Sequence, residues 1–130
     1  MKSVLFVSYP AIQPSDLPAE LHLIELVSRR RNAEAQVTGA LMCTEWQFAG
    51  VLEGEPRAVE VVMERIHLDR RHQKILVADE RVIATRSFVG WKLAYWGDAL
   101  YARKLVSPLF LEPSRASATN LRTFLREMAR

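Results

Sequence analysis

The sequence predicts an α+β sandwich: a mostly antiparallel five-stranded sheet, two helices on one of its faces, and a helical tail behind them. Three observations predict it. Short runs rich in β-branched and aromatic residues alternate with two segments of helical periodicity. Two of the runs are separated only by Glu45-Trp46-Gln47, a spacing that demands an antiparallel hairpin. After Gly97 the pattern is helical to the end.

Val4 to Tyr9 reads as the first strand, stopped by Pro10 and the turn signal Gln13-Pro14-Ser15-Asp16. Ser15 or Asp16 caps a helix with Pro18 in its first turn and Leu17, Leu21, Ile24 and Val27 at helical spacing, running to about Arg31. Val37 to Thr44 and Phe48 to Leu52 form the hairpin, closed by Gly54-Glu55-Pro56. In Ala58 to Leu68, Val59, Val62, Met63 and Ile66 fall on one face of a second helix. Ile75 to Ala78 and Ser87 to Tyr95 complete a βαββαββ order, which suits a ferredoxin-like sandwich. In the tail, helical spacing is weak over Ala99 to Leu105 and clear at Leu121, Phe124, Leu125 and Met128, with Ser117, Thr119 and Asn120 as candidate caps. This tail is expected on the other sheet face.

The 130 residues suffice for one domain with a real core, divided into a sandwich at 1–97 and a helical extension at 98–130 packed on it. Apolar residues at 49% and charged residues at 25% exclude bulk disorder. The net charge of +3 is uneven, because only Lys2, Arg29, Arg30 and Arg31 of the 18 basic side chains precede Glu55. That excess is dispersed, so charge does not call for nucleic acid. No apolar stretch reaches the roughly 18 residues a membrane span needs and no signal peptide is evident, so a cytoplasmic location away from membranes is expected. The single cysteine, Cys43, lies in an apolar run and reads as core, and no metal site is expected.

No phosphate-binding glycine loop, nucleophile elbow or His-Glu-x-x-His is present, which lowers the expectation of an enzyme. The densest polar cluster is Asp69-Arg70-Arg71-His72, after the second helix, where an anion can bind or where Arg and His simply complement the helix dipole. Asn32 follows Arg29-Arg30-Arg31 and either ends its helix in a left-handed conformation or offers its amide to a ligand.

Taken together, Asn32, Thr38-Gly39-Ala40-Leu41, Phe48, Leu52-Glu53-Gly54, Asp69-Arg70-Arg71-His72 and Phe88-Val89-Gly90-Trp91 resemble the signature of BLUF domains, blue-light sensors that use flavin. The likeness covers about residues 3 to 95 and agrees with the ferredoxin-like order read from pattern. The resemblance implies FAD or FMN between the two helices, with Asn32 bonding the polar edge of the ring and Ile24 and Ile66 on its two sides. It implies that Asp69, Arg71 and His72 lie near the ribityl and phosphate end, where Arg71 offers a planar fork. The isoleucines are otherwise ordinary core.

Two departures bear on function. BLUF photochemistry passes through a tyrosine on the first strand and a glutamine on the third, and the matching residues here are Phe6 and Gly50. A phenyl ring has no hydroxyl proton to transfer, and Gly50 has no amide to rearrange. Tyr9 and Gln47 stand at odd offsets from those positions, which turns their side chains to the opposite sheet face. The gap at Gly50 marks a bulge or a close approach by ligand or backbone, or is filled by Trp46 or Trp91; Trp91 itself reads as packing, without a catalytic role. The expected function is a flavin-binding sensor or regulatory domain unable to run the usual photocycle, with a flavin-free protein interaction module as the alternative and a flavin-dependent redox enzyme well behind. A homo-oligomer is expected because the second sheet face needs more cover than the tail offers, and signalling is expected to pass to a separate protein.

Overall fold

In the computed structural model, which describes residues 1–130, the order is β1 (Lys2–Pro10), a 3-10 turn at Pro14–Asp16, α1 (Leu17–Glu34), β2 (Thr38–Cys43), β3 (Phe48–Gly54), α2 (Pro56–Leu68), β4 (His72–Val82), β5 (Trp91–Trp96), α3 (Leu100–Leu111) and α4 (Arg115–Met128). The five strands lie in the order β4-β1-β3-β2-β5. All neighbours are antiparallel except β2 and β5. This is the mostly antiparallel, ferredoxin-type α+β arrangement the pattern predicts.

The three inner strands β1, β3 and β2 are buried on both faces, and the period-2 alternation of side chains sorts them between two cores. Val4, Phe6, Leu41, Cys43, Phe48 and Leu52 face α1 and α2, joining Leu21, Ile24, Val59 and Val62. Leu5, Val7, Ala40, Met42, Ala49 and Val51 face α3 and α4, joining Val106, Leu109, Leu121 and Leu125. Cys43 is buried as expected, and burial pushes its thiol up to about 12, so it is inert.

Several boundaries differ from the expected ones. α1 continues to Glu34, so Asn32 sits inside its last turn, and the left-handed residue after the helix is Gln36 at φ 57°. β4 is much longer than Ile75–Ala78, because β1 offers it a partner along its length through two register shifts. β5 starts at Trp91 rather than Ser87, because the residues before it are tied elsewhere: Ser87 and Phe88 by the Glu53 carboxylate, and Gly90, whose carbonyl accepts the Gly39 N–H. α4 is capped by Ser114, whose hydroxyl accepts the Ser117 N–H at 3.0 Å while Ser117 Oγ accepts the Ser114 N–H in return. α3 and α4 together cover the second sheet face, which removes the uncovered face as a reason to expect an oligomer. No helix is long and apolar enough to cross a membrane.

Gly39 is required at its position. Its φ is +149°, and a Cβ there would overlap the Val51 carbonyl of the neighbouring strand.

Because Leu121 is fully buried between α4 and the sheet, Leu121→Ala is expected to lower stability by about 2–5 kcal/mol. Urea unfolding should show one transition at a lower midpoint, followed equally by helix and sheet signals; melting of α4 alone would contradict a shared core.

Candidate functional site

A cleft of about 110 Å³ lies between α1, α2 and the first core. On α1, Ile24, Ser28, Arg31 and Asn32 fall at positions i, i+4, i+7 and i+8, so a single helical face lines it. On α2, Val62, Arg65, Ile66 and Asp69 follow the same rule at i, i+3, i+4 and i+7. Phe6, Leu41, Leu52 and Trp91 rise from the sheet as the floor. Ile24, Asn32, Ile66, Asp69, Arg71 and His72 all line this one cleft. Arg31 and Arg65 at the mouth were not singled out; each directly precedes a residue that was, which was the available signal.

The Asn32 side chain is 4% exposed, faces the cleft and forms no hydrogen bond within the chain. The cleft leaves these polar atoms open to solvent, the enclosed and unpartnered side-chain atom of the chain being Gln47 Oε1, so the amide is a donor and acceptor that a ligand can engage. Its flanks are the apolar Ile24 and Ile66. These residues fit the polar edge and flat faces of a flavin ring.

Arg71 crosses the far end of the cleft. Its Nε and Nη2 donate to Asp69 at 2.9 and 2.8 Å, and Nη1 reaches Glu20 on α1 at 3.3 Å. The hydrogen bonds to Asp69, with its charge, hold the guanidinium above its usual value. Burial pushes the Asp69 carboxyl up, but the hydrogen bonds and charge of Arg71 outweigh it and leave Asp69 below its ordinary value. Arg71 therefore ties the end of α2 to the start of α1 and spends most of its fork inside the chain.

His72 opens β4. Its Nδ1 and Ser8 Oγ share a 2.7 Å hydrogen bond, and its ring packs on Phe48 at 4.4 Å and edge-on to Phe6 at 6.3 Å. Burial pushes the imidazole down to about 4 from 6.5, with Asp69 resisting, so it is neutral at pH 7.

Phe6 and Gly50 are direct cross-strand partners in the β1–β3 pairing. A Cβ on Gly50 would stand 2.6 Å from two atoms of the Phe6 ring, so Phe6 itself occupies the space above the glycine. The expectation that Trp46 or Trp91 fills it is corrected: Trp46 is exposed on the hairpin turn beside Arg103, and Trp91 lies across the cleft floor. Phe6 lines the cleft and Gly50, covered by it, does not. Tyr9 and Gln47 face the other way, Tyr9 stacked on Phe110 at 4.3 Å and Gln47 Nε2 donating to Ser107 Oγ at 2.8 Å.

The family model for BLUF, described as sensors of blue-light using FAD, matches residues 1–94. The chain belongs to the BLUF family. Among solved structures, BlrB, a BLUF protein in its dark state, is 25% identical over 97% of this chain and 95% of that one, with a TM-score of 0.76. Ground-state BlsA is 26% identical over 98% of this chain and 87% of that one, at a TM-score of 0.75. Photo-activated BlsA, 22% identical over 96% of this chain and 94% of that one, shares the fold at a TM-score of 0.81. No curated protein sequence matches the chain. BLUF domains are flavin-binding blue-light sensor modules rather than catalytic ones, and this chain carries that module's fold.

Two outcomes are expected. Gly50→Ala should cost about 1–3 kcal/mol beside Phe6 and much less in a Phe6→Ala background, and a double-mutant cycle in urea measures that coupling. For His72, the unfolded chain takes up the proton first, near pH 6.5, and the folded chain only near pH 4. Stability contributed by the neutral ring is therefore full above about pH 6.5 and falls by about 3 kcal/mol as pH drops toward 4. His72→Gln should remove that part of the slope in urea midpoints measured against pH.

Proposed function

We propose that the protein binds a flavin, FAD or FMN, between α1 and α2 and acts as a BLUF regulatory domain in which the usual light reaction is disabled. The carrying observation is the Asn32 amide, open to the cleft and without a partner in the chain, in a lining it shares with Ile24 and Ile66. A bound flavin would supply absorption of blue light. Asn32 would bond the polar edge of its ring, the two isoleucines would take its faces, and Asp69, Arg71 and His72 would border its tail. The Arg71 fork is already neutralised by Asp69 and Glu20, so positive charge for the tail would come from Arg31 and Arg65 in the cleft lining.

Disablement rests on the pair at the floor. Phe6 has no hydroxyl to give up a proton, Gly50 has no amide to turn, and the ring covers the place where such an amide would begin. Tyr9 and Gln47 point to the α3 side of the sheet, against Phe110 and Ser107, and supply neither group.

One observation favours a second reading, a flavin-free interaction module. The cleft, at about 110 Å³, is well below the roughly 300–1,000 Å³ of ordinary small-molecule pockets, so α1 and α2 must part to admit a three-ring heterocycle.

Absorption from 300 to 550 nm, before and after blue light and after incubation with FAD, separates these readings. Flavin bands without a light-induced shift are expected; a shift would overturn the disablement, and a colourless protein that rejects FAD would support the module. Asn32→Leu should weaken flavin binding at least about tenfold, in line with losing hydrogen bonds in a buried site. Phe6→Tyr with Gly50→Gln should restore a reversible red shift in the flavin-loaded protein once the ring at position 6 swings off residue 50, and an unchanged spectrum would count against this account.

A further inference from the structure

On the sheet face opposite the cleft, α4 crosses the sheet over β5, β2, β3 and β4, and the side chains where it meets β1 and β4 carry more positive than negative charge. The Arg122 side chain is only 14% exposed. It directs Nε and Nη2 to Asp79 Oδ2 at 3.1 and 3.0 Å and Nη1 to Ser3 Oγ. Arg81 uses the same carboxylate oxygen, from Nε at 2.7 Å, and donates from Nη2 to Thr119 Oγ1 at 2.8 Å. Two guanidiniums thus share one carboxylate. Arg126, one turn beyond Arg122, has no ion pair or hydrogen bond and lines the same cavity. The other acid nearby, Glu53, is committed to the Ser87 and Phe88 N–H groups and the Thr38 hydroxyl. Burial holds Arg122 below its ordinary value, Asp79 offsets part of this, and the like charge of Arg81 deepens it.

Among these groups lies a cavity of about 170 Å³, walled by Arg81, Arg122, Arg126, Ser3 and Thr119, with Glu53 the one acid in its wall against three arginines. With each water taking about 30 Å³, that is room for a tetrahedral oxyanion and a few waters. Planar guanidinium forks match phosphate oxygens in pairs, hydroxyls fill the remaining acceptor directions, and an anion would supply the charge the cluster lacks. A wider groove of about 490 Å³ adjoins it, sharing Ser87, Phe88 and Arg126 and adding Lys92 and Arg130.

We propose that the α4–sheet seam is a binding site for a phosphoryl group, presented either as free phosphate or as the phosphate of a nucleotide whose remainder lies in the adjoining groove. The site is independent of flavin binding. It touches the same loop, since Ser87 lines the seam and Trp91 lines the cleft.

The test is thermal unfolding and titration calorimetry of the whole protein with inorganic phosphate, AMP and adenosine, with sodium chloride at matched ionic strength as the control. Phosphate or AMP at about ten times its Kd should raise Tm by roughly 3–6 °C over the chloride control. Arg126→Gln, a change at an exposed and unpaired side chain, should weaken binding about tenfold without lowering the Tm of the free protein. AMP binding at least about tenfold tighter than phosphate, with adenosine not binding, assigns the site to a nucleotide; equal affinities assign it to free phosphate. No shift beyond the chloride control with either anion, or wild-type affinity in both Arg126→Gln and Arg81→Gln, would overturn the proposal.

Discussion

The pleat of three inner strands organises everything else in this molecule. β1, β3 and β2 are covered on both sides, so each residue along them belongs to one core or the other by parity alone. That parity puts Phe6 and Gly50 on the cleft side and Tyr9 and Gln47 on the α3 side, where each has its own partner. A side chain three residues away in sequence cannot stand in for its neighbour without turning the strand over. The same division leaves the second face free to build a charged seam with α4 that shares no side chain with the cleft.

A second constraint fixes the loop between the two sites. Glu53, 1% exposed at the end of β3, accepts hydrogen bonds from the backbone N–H groups of Ser87 and Phe88 and from Thr38 Oγ1. Arg86 closes the arrangement from outside, with Nη1 on the Glu53 carbonyl and Nη2 on that of Gln36. A buried carboxylate satisfied by backbone donors in this way leaves the chain few alternatives, because displacing the loop would strand it without partners. β5 consequently begins where it does, with Trp91 opposite Gly39. Gly39 in turn admits the close approach of β3 that any side chain would block.

Much of this was legible in the sequence and some was not, for physical reasons. The order of elements, the two helices on one face and the residues of the cleft follow from periodicity and from matched motifs, since both depend on local spacing. The end of α1 did not: Asn32 looked like a terminator because asparagine tolerates the left-handed region, yet Gln36 takes that conformation once Asn32 is held in the core. β4 and β5 were misjudged at their ends because strand length is set by what lies alongside, and that information is long-range. Leu52-Glu53-Gly54 stood out as a motif, but the role of Glu53 depends on a loop more than thirty residues away. The seam could not be found by pattern at all, because Ser3, Asp79, Arg81 and Arg122 come from three separate elements.

The two departures from the family pattern are one structural change. With glycine at position 50, the strand would carry a hole beside its neighbour, and an aromatic ring laid across the pair fills it, as cross-strand aromatics do for glycines elsewhere. With a ring in that position, any side chain at 50 would have to displace it. Phenylalanine suits this packing because its ring carries no hydroxyl to be placed against Gly50. Each substitution therefore stabilises the other, and the pair replaces a reactive arrangement of hydroxyl and amide with packed hydrocarbon. The cleft above is left otherwise intact, with Asn32 still unpartnered and Ile24 and Ile66 still facing it. On the proposed reading, binding would rest on side chains other than the pair at the floor, so an exchange of packing at Phe6 and Gly50 would disable the light reaction without dismantling the binding cleft.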